Sequence, residues 1–207
     1  MKILAVSDQI VETIYGSRIR ERFGDVEMVL SCGDLPYSYL EYIISMLNAP
    51  CFFVHGNHDK PEYMANGRTL TRPGGWINLD GRTVKVKDII LGGLEGSMRY
   101  KPNAPFQYTD SEIAHKAWWL TPSLLMNRLF HGRYLDILIA HSPPFGIHDG
   151  EDWPHRGFKT FLRMMARFRP RYLLHGHKHI YGTEPWQTRY LDTEIINVHP
   201  FPAIPVL

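Results

Sequence analysis

The sequence has little of three features that would place it in a specialised class of protein. Two cysteines among 207 residues cannot form a disulfide framework, which fits a reducing compartment. The apolar runs, such as residues 51–54, are far shorter than the ~18 residues that a membrane span needs. The net charge of +2 is too small to argue for a nucleic acid partner. The first apolar run stops at Asp8, too early for the ~7–15-residue core of a signal peptide. We therefore expect a cytoplasmic protein without membrane or nucleic acid partners.

What remains is the composition of an ordinary globular protein. Apolar residues make up 44 % and charged residues 21 % of the chain. At roughly 150 residues per domain, the length predicts a single domain over residues 1–207. Histidine stands out, because several of the 11 histidines lie beside Gly, Asp or Asn.

Short apolar runs that end in polar residues alternate with segments of helical periodicity. This alternation is typical of βαβ units and a largely parallel sheet, so the predicted fold class is α/β. The predicted strands of this kind are Ile3–Val6, Val26–Leu30, Cys51–Val54, Tyr134–Ala140 and Tyr172–His175, and the predicted helices are Leu35–Leu47, Asp110–Asn127 and Gly157–Phe168.

The middle and the end of the chain are richer in strands. The turn dipeptide Asp80-Gly81 predicts a β-hairpin between the runs Trp76–Leu79 and Thr83–Val86. Segment 95–110 is rich in Gly, Pro, Asn and aromatic residues and is predicted to be a loop. Further strands are expected near residues 88–91, 188–191 and 194–198.

The residues that follow five of the predicted strands point to metal chemistry. Because ligands of α/β sheets bind outside the carboxyl ends of the strands, these groups should meet at one rim. Carboxylate, amide and imidazole groups bind divalent ions, and no cysteine lies at the spacing of a structural zinc site. The set exceeds the needs of one tetrahedral ion and suits two ions ~3.5–4 Å apart, which can hold a hydroxide for in-line attack on phosphorus. The rim residues are Asp8, Asp34, Asn57, His58, His141, His177 and His179.

Each of these residues also has a structural explanation when it is taken alone. Asp8 and Asp34 could cap helices, and Asn57 could be a turn residue. Such explanations would have to hold separately at five strand ends, whereas one metal site accounts for all of them.

The motifs at these strand ends resemble those of a known family, the calcineurin-like metallophosphoesterases. The matching segments are Gly33-Asp34, Gly56-Asn57-His58-Asp59, His141-Ser142-Pro143-Pro144 and Gly176-His177-Lys178-His179, in this order. The resemblance implies a four-layer α/β/β/α sandwich with two mixed sheets. It also implies a metal-dependent phosphoesterase that hydrolyses a phosphate mono- or diester by in-line attack of a metal-bound hydroxide.

The resemblance further implies a role for each residue of the rim. Asp34 would bridge two divalent ions (Mn, Fe or Zn), and His58 would contact the substrate phosphate and act as the proton donor. The other implied ligands are Asp8 and His179 for the first ion, and Asn57, His141 and His177 for the second.

Two positions depart from the family pattern. Ile10 stands where the family usually has the His of an Asp-X-His motif, so the first site lacks one ligand. That site could bind its ion weakly, fill with water or recruit Glu12. Tyr37 stands where phosphoprotein phosphatases of the family have the Asp that orients the proton-donating His, which argues against that activity and leaves the task to Asp59 or a backbone carbonyl. The alternative function is a non-catalytic scaffold of the same fold with an impaired first metal site.

Further substrate contacts are expected from the loop after His141. His148 and His155 flank that loop, which could touch the substrate or lie on the plain surface. Arg156 opens the following helix, and an Arg at a helix N-terminus is suited to phosphate. We therefore predict substrate binding by Asn57, His58 and Arg156. The expected partner is a small phosphorylated compound, and the sequence leaves the oligomeric state open.

Overall fold

The computed structural model describes residues 1–181 and 185–201 with their side chains and residues 203–205 by their backbone. The first of two main sheets contains β1 (Lys2–Val6), β2 (Met28–Ser31), β3 (Cys51–Phe53), β6 (Ile77–Asn78) and β15 (Ala203–Pro205). Their order is β15-β1-β2-β3-β6. The strands pair in parallel except for β15, which is antiparallel to β1.

The second main sheet has six strands in the part of the chain that the structure describes. They are β7 (Thr83–Val86), β8 (Ile89–Leu94), β11 (Ile137–Ala140), β12 (Tyr172–His175), β13 (Gln187–Tyr190) and β14 (Thr193–Asn197). Their order is β13-β14-β12-β11-β8-β7. The four inner strands are parallel, and the edge strands β7 and β13 are antiparallel to their neighbours.

Within the described residues, four α-helices and a short 3₁₀ helix accompany the sheets. They are α1 (Ile19–Phe23), α2 (Tyr37–Met46), α3 (Asp110–His131), α4 (Lys159–Phe168) and the 3₁₀ helix Trp153–His155. Residues of α1 and α2 share a buried cluster with the first sheet, and residues of α3 and α4 share one with the second sheet.

A third buried cluster joins the inner faces of the two sheets and completes the layering. In β1, Ile3 and Ala5 belong to this central cluster, whereas Leu4 and Val6 pack toward α1 and α2. The alternation follows from the two-residue period of a strand whose two faces are both covered. The predicted α/β/β/α sandwich with two mixed sheets is therefore confirmed.

Helix α3 begins as predicted and ends later. The Thr109 side chain accepts a hydrogen bond from the Glu112 backbone N–H, and the Glu112 carboxylate bonds back to Thr109, which forms a capping box. The helix continues past the predicted end at Asn127 and stops at Gly132, whose φ of 75° is left-handed. Across the described residues, no helix combines the length and apolarity required to cross a bilayer.

The hairpin predicted at Asp80-Gly81 is wrong. The run before this turn supplies β6, which pairs with β3 in the first sheet. The run after it supplies β7, which pairs with β8 in the second sheet. The dipeptide therefore carries the chain from one sheet to the other, because each run pairs with a more distant strand. The actual hairpin is β7–β8, with Lys87 and Asp88 between its strands.

Two small strand pairs were not expected from the sequence. The predicted loop 95–110 contains the parallel pair β9 (Ser97–Met98) and β10 (Gln107–Tyr108). The antiparallel pair β4 (Glu62–Tyr63) and β5 (Thr69–Leu70) lies between β3 and β6 in the chain. Strands of two residues carry too short a pattern to be recognised in the sequence.

Candidate metal centre and active site

The carboxyl ends of the parallel strands of both sheets meet at one rim. Asp8 follows β1, and its backbone N–H donates to the Gly33 carbonyl 3.1 Å away, just beyond β2. In the other sheet, the Gly176 N–H after β12 donates to the carbonyl of His141 after β11, at 3.0 Å. These bonds set the site residues in adjacent turns. The rim borders a cleft of about 570 Å³ lined by Asp8, Asp34, His58, Asp152, His155, His177, Lys178, His179 and Tyr181.

Two glycines of the motifs allow the turns to approach this closely. A Cβ atom at Gly56 would lie 2.0 Å from Asp34 Oδ1, and one at Gly176 would lie 2.2 Å from Asp8 Oδ2. Any larger residue would push a carboxylate out of the rim. The glycines of the Gly-Asn-His and Gly-His-X-His motifs are thus required by packing against the site carboxylates.

Three rim residues have left-handed backbone conformations that non-glycine residues rarely adopt. Their φ angles are 64° at Asp8, 56° at Asp34 and 67° at His177. Such conformations cost ~1–3 kcal/mol each and are typical of functional sites. Hydrogen bonds hold them here: the His177 N–H donates to Asp8 Oδ2 at 3.0 Å, and the His58 N–H donates to Asp34 Oδ1 at 2.8 Å.

Atoms that carry lone pairs converge at the centre of the rim. His141 donates from Nδ1 to the carbonyl of Cys32 at 2.7 Å, so its Nε2 is the nitrogen with the free lone pair in the neutral ring. This Nε2 lies 3.0 Å from Asn57 Oδ1 and 3.3 Å from Asp34 Oδ2. Three acceptor atoms this close repel one another unless a cation lies among them, and that cation is either a proton on His141 or a metal ion.

The protonation states follow from this arrangement. Burial would raise the pKa of the Asp34 carboxyl, but the charge and hydrogen bond of His141 outweigh it and lower the pKa to about 2. Burial would lower the pKa of His141, but the charge of Asp34 outweighs it and raises the pKa to about 9. Without a metal ion, His141 therefore stays protonated, and its proton is the cation between the nitrogen of His141 and the oxygen atoms of Asp34 and Asn57.

His177 adds a fourth potential ligand atom to this centre. Its Nε2 donates to the carbonyl of Pro154 at 2.8 Å, which leaves the lone pair on Nδ1. Burial, with the nearby charge of His141, lowers the pKa of His177 to about 3, so the ring is neutral. Asp34, His141 and His177 offer ligand atoms that all lie within 4.8 Å of one another, which fits a divalent ion.

The residues predicted for the first ion lie at the open side of the same rim. Asp8 Oδ1 is 3.9 Å from His179 Nε2, and the Asp8 side chain is almost fully buried whereas that of His179 is 44 % exposed. Ile10 is exposed. Glu12, considered as a substitute ligand, is also exposed and is absent from the described lining of the cleft. The described residues around Asp8 and His179 therefore offer fewer potential metal ligands than those around His141.

His58 lies in the cleft as an exposed ring, beside the metal-ligand cluster. Asp59, one candidate to orient it, instead accepts a hydrogen bond from the Gly56 N–H at 2.9 Å and makes no bond with the His58 ring in the described part of the chain. Burial and the charge of Asp34 raise the pKa of Asp59 to about 7. Asp59 thus stabilises the turn that carries His58.

The two histidines that flank the loop after His141 lie in different surroundings. His155 lines the cleft, 5.1 Å from the His177 ring, and its Nδ1 donates to Asp152 at 2.7 Å. His148 instead bonds to His175 and Thr188, and burial lowers its pKa to about 4.

Arg156 does not line the cleft among the described residues. Its guanidinium lies over the rings of Phe145, at 5.2 Å, and Trp153, at 5.6 Å. Cation–π packing therefore directs this side chain onto the loop. A local sequence pattern that puts Arg at a helix start cannot show which way its side chain turns.

His199 adjoins turn residues and has no catalytic context in the sequence, yet its ring stacks on that of His179 with 4.2 Å between the centroids. Both of its ring nitrogens are buried without a hydrogen-bond partner in the described structure. The contact supports the otherwise exposed His179 ring. No motif surrounds His199, so only its position in space links it to the rim.

Comparisons with known proteins identify the family of this chain. A family model described as calcineurin-like phosphoesterase matches residues 1–181, and the chain therefore belongs to the calcineurin-like phosphoesterase family. An uncharacterised protein of Methanocaldococcus jannaschii is 26 % identical over 191 residues, which cover 86 % of this chain and 80 % of that protein.

Two further relatives have a named activity or a solved structure. The UDP-2,3-diacylglucosamine hydrolase of Salmonella typhi is 26 % identical over 134 residues, covering 63 % of this chain and 52 % of that enzyme. The crystal structure of TT1561 from Thermus thermophilus superposes with a TM-score of 0.59 at 15 % identity, covering 95 % of this chain and 88 % of that one. This structural likeness supports the shared fold.

Proposed function

We propose that this protein is a metal-dependent phosphoesterase that hydrolyses a small phosphate mono- or diester. The observation that carries the proposal is the convergence of three atoms. Asn57 Oδ1 lies 3.0 Å and Asp34 Oδ2 lies 3.3 Å from His141 Nε2. An arrangement of three lone-pair atoms suits a cation, and the cleft beside it exposes a histidine that is free to contact substrate.

The donor set fits two divalent ions, with Mn, Fe and Zn all suited to it. When bound, the two ions would supply Lewis-acid stabilisation of the phosphate charge and activation of water. Asp34 would be the shared ligand. The other proposed ligands are Asn57, His141 and His177 for one ion, and Asp8 and His179 for the other.

The proton donor in this proposal is His58. Its backbone N–H is held by Asp34, which places the ring beside the metal centre while leaving it exposed in the cleft. A histidine in this position can protonate the oxygen of the leaving alcohol. The carboxylate of Asp152 orients the ring of His155, which also lines the cleft, and we propose His155, more than Arg156, as the second contact to the phosphate.

The cleft lining favours a compact, polar substrate. Eight of the nine described residues that line the cleft are Asp, His or Lys, and the ninth is Tyr181. The name of the Salmonella relative describes a diacylated substrate, but none of the described lining residues is an aliphatic residue of the kind that binds acyl chains. The relative therefore supports hydrolysis and not that particular substrate.

The experiment that tests the proposal combines metal content with hydrolysis. The purified chain is stripped with a chelator, reloaded with Mn²⁺, Fe²⁺ or Zn²⁺, and assayed on chromogenic phosphate mono- and diesters. We expect hydrolysis after reloading and none after stripping. A chain that holds its metals but hydrolyses neither class would refute the enzyme proposal, and one that binds no metal would be the scaffold.

Restoring the missing ligand gives a second prediction. Ile10→His should tighten binding of the weaker Mn²⁺ ion by at least ~10-fold, because loss of groups that merely support ligands already changes metal affinity ~10–100-fold. Isothermal titration of the stripped protein measures both ions. Ile10→Leu, which adds no ligand, is the control. An Ile10→His titration that matches Ile10→Leu would mean that position 10 does not face the first site.

A further inference from the structure

Helix α3 is apolar on two opposite faces. Its inner face, formed by Ile113, Ala117, Leu120 and Leu124, is buried against the second sheet and α4. Its outer face is also apolar, and each of its large side chains is 50–72 % exposed. We call these residues the α3 face: Trp118, Trp119, Leu125, Met126, Leu129 and Phe130. A helix that is apolar all round is typical of a buried position, so this exposure needs an explanation.

The positions of the α3 face match the spacing of a helix–helix contact. Trp118, Leu125 and Leu129 lie on one line along the helix, and Pro122 lies on the same line between the first two, which gives intervals of four, three and four residues. This is the seam spacing of packed helices. Residues 119, 126 and 130 flank this seam. The face therefore forms one continuous stripe, not a set of scattered exposed side chains.

The charge pattern decides what kind of partner fits the stripe. Residues 117–127 contain no charged side chain. Arg128 turns away, because its guanidinium lies 5.9 Å over the Tyr134 ring. Helices that lie on membrane surfaces have Lys and Arg along the border of the apolar face, and this helix lacks them over those residues. An uncharged, aromatic-rich stripe instead matches the core of a protein interface.

We propose that the α3 face binds the same face of a second copy of this chain. A two-fold axis across the middle of the α3 face, near residue 124, makes the two helices antiparallel. It sets Trp118 of one copy opposite Phe130 of the other, so the apolar stripe meets itself along its whole length. The inference does not depend on the proposed function.

The exposed area of the α3 face is of the order that a dimer interface needs. Aromatic side chains bury ~150–250 Å² each, so three aromatic and three aliphatic side chains at this exposure provide several hundred Å² per copy. A standard interface needs ~800 Å² per partner, which the stripe and its polar border together approach.

Sedimentation of the full chain at concentrations from about 1 to 100 μM tests the proposal, a range that covers ordinary dimer affinities. We expect a reversible dimer. Leu129→Glu should weaken it at least ~30-fold, since residues central to an interface contribute 2 kcal/mol or more. The matched control is Tyr63→Glu, which changes an exposed side chain on β4 and should leave the dimer intact. Circular dichroism verifies that both variants fold.

Tryptophan fluorescence locates the interface. Dilution of the dimer should shift the emission to longer wavelength as Trp118 and Trp119 become exposed, and Leu129→Glu should show the shifted spectrum at every concentration. A monomer throughout the range overturns the proposal. So does a dimer that survives Leu129→Glu, and so does a monomer that binds phospholipid vesicles through this face.

Discussion

Asp34→Asn should abolish metal-dependent hydrolysis, with kcat reduced at least ~10³-fold, because the Lewis-acid contribution of such ions amounts to several kcal/mol. Asparagine preserves the size of the side chain but removes the negative charge. That charge holds His141 at 3.3 Å and is shared between the two proposed ion positions. The variant should therefore lose metal affinity as well as activity.

Thermal stability with and without Mn²⁺ distinguishes a loss of metal binding in Asp34→Asn from a general loss of structure. A ligand at 100 times its Kd stabilises the native state by ~2.7 kcal/mol, so Mn²⁺ should raise the melting temperature of the parent protein. Asp34→Asn should unfold in one cooperative transition, and Mn²⁺ should not raise its melting temperature. Asp25→Asn, at an exposed carboxylate paired with Lys2, should behave like the parent. A normal Mn²⁺ response in Asp34→Asn would show that Asp34 is not a ligand.

His58→Ala should leave metal binding unchanged and slow hydrolysis of alkyl phosphates by ~10²–10⁴-fold, the usual contribution of general acid catalysis. Phosphate esters of acidic phenols should lose far less, because their leaving oxygen needs little protonation. The comparison of kcat for the two substrate types therefore reports on the proton donor itself.

The control for this comparison is His131→Ala, which removes an exposed histidine at the end of α3. It should leave both rates unchanged. Equal losses of kcat for alkyl and aryl substrates in His58→Ala would assign His58 to substrate binding alone. An unchanged kcat for both substrate types would show that His58 takes no part in the reaction.

The fold could be predicted to a large extent, because its main signals are local. Each parallel strand is buried on both faces and therefore appears as a short apolar run, as in β1 and β11. The end of each run marks the start of a rim turn, so the residues that meet at the rim could be named in advance. The family match over residues 1–181 agrees with the resemblance in those motifs.

The choice of strand partners could not be predicted in the same way. Asp80-Gly81 carries the turn signal of a hairpin, yet the runs on its two sides belong to different sheets. A turn dipeptide specifies a change of direction over a few residues. Which strand lies beside β6 or β7 depends on burial against residues far away in the chain, and no local signal reports it.

The directions of individual side chains could not be predicted from the sequence either. Arg156 packs on aromatic rings of its own loop, whereas His155 turns into the cleft and His199 meets His179 from the far end of the chain. The residue types at the rim and the succession of strands along the chain thus follow from the sequence alone, because burial and periodicity act over a few residues. The membership of the cleft and the exposed α3 face depend on how distant segments pack, because contacts across the fold select each rotamer and leave each surface covered or open.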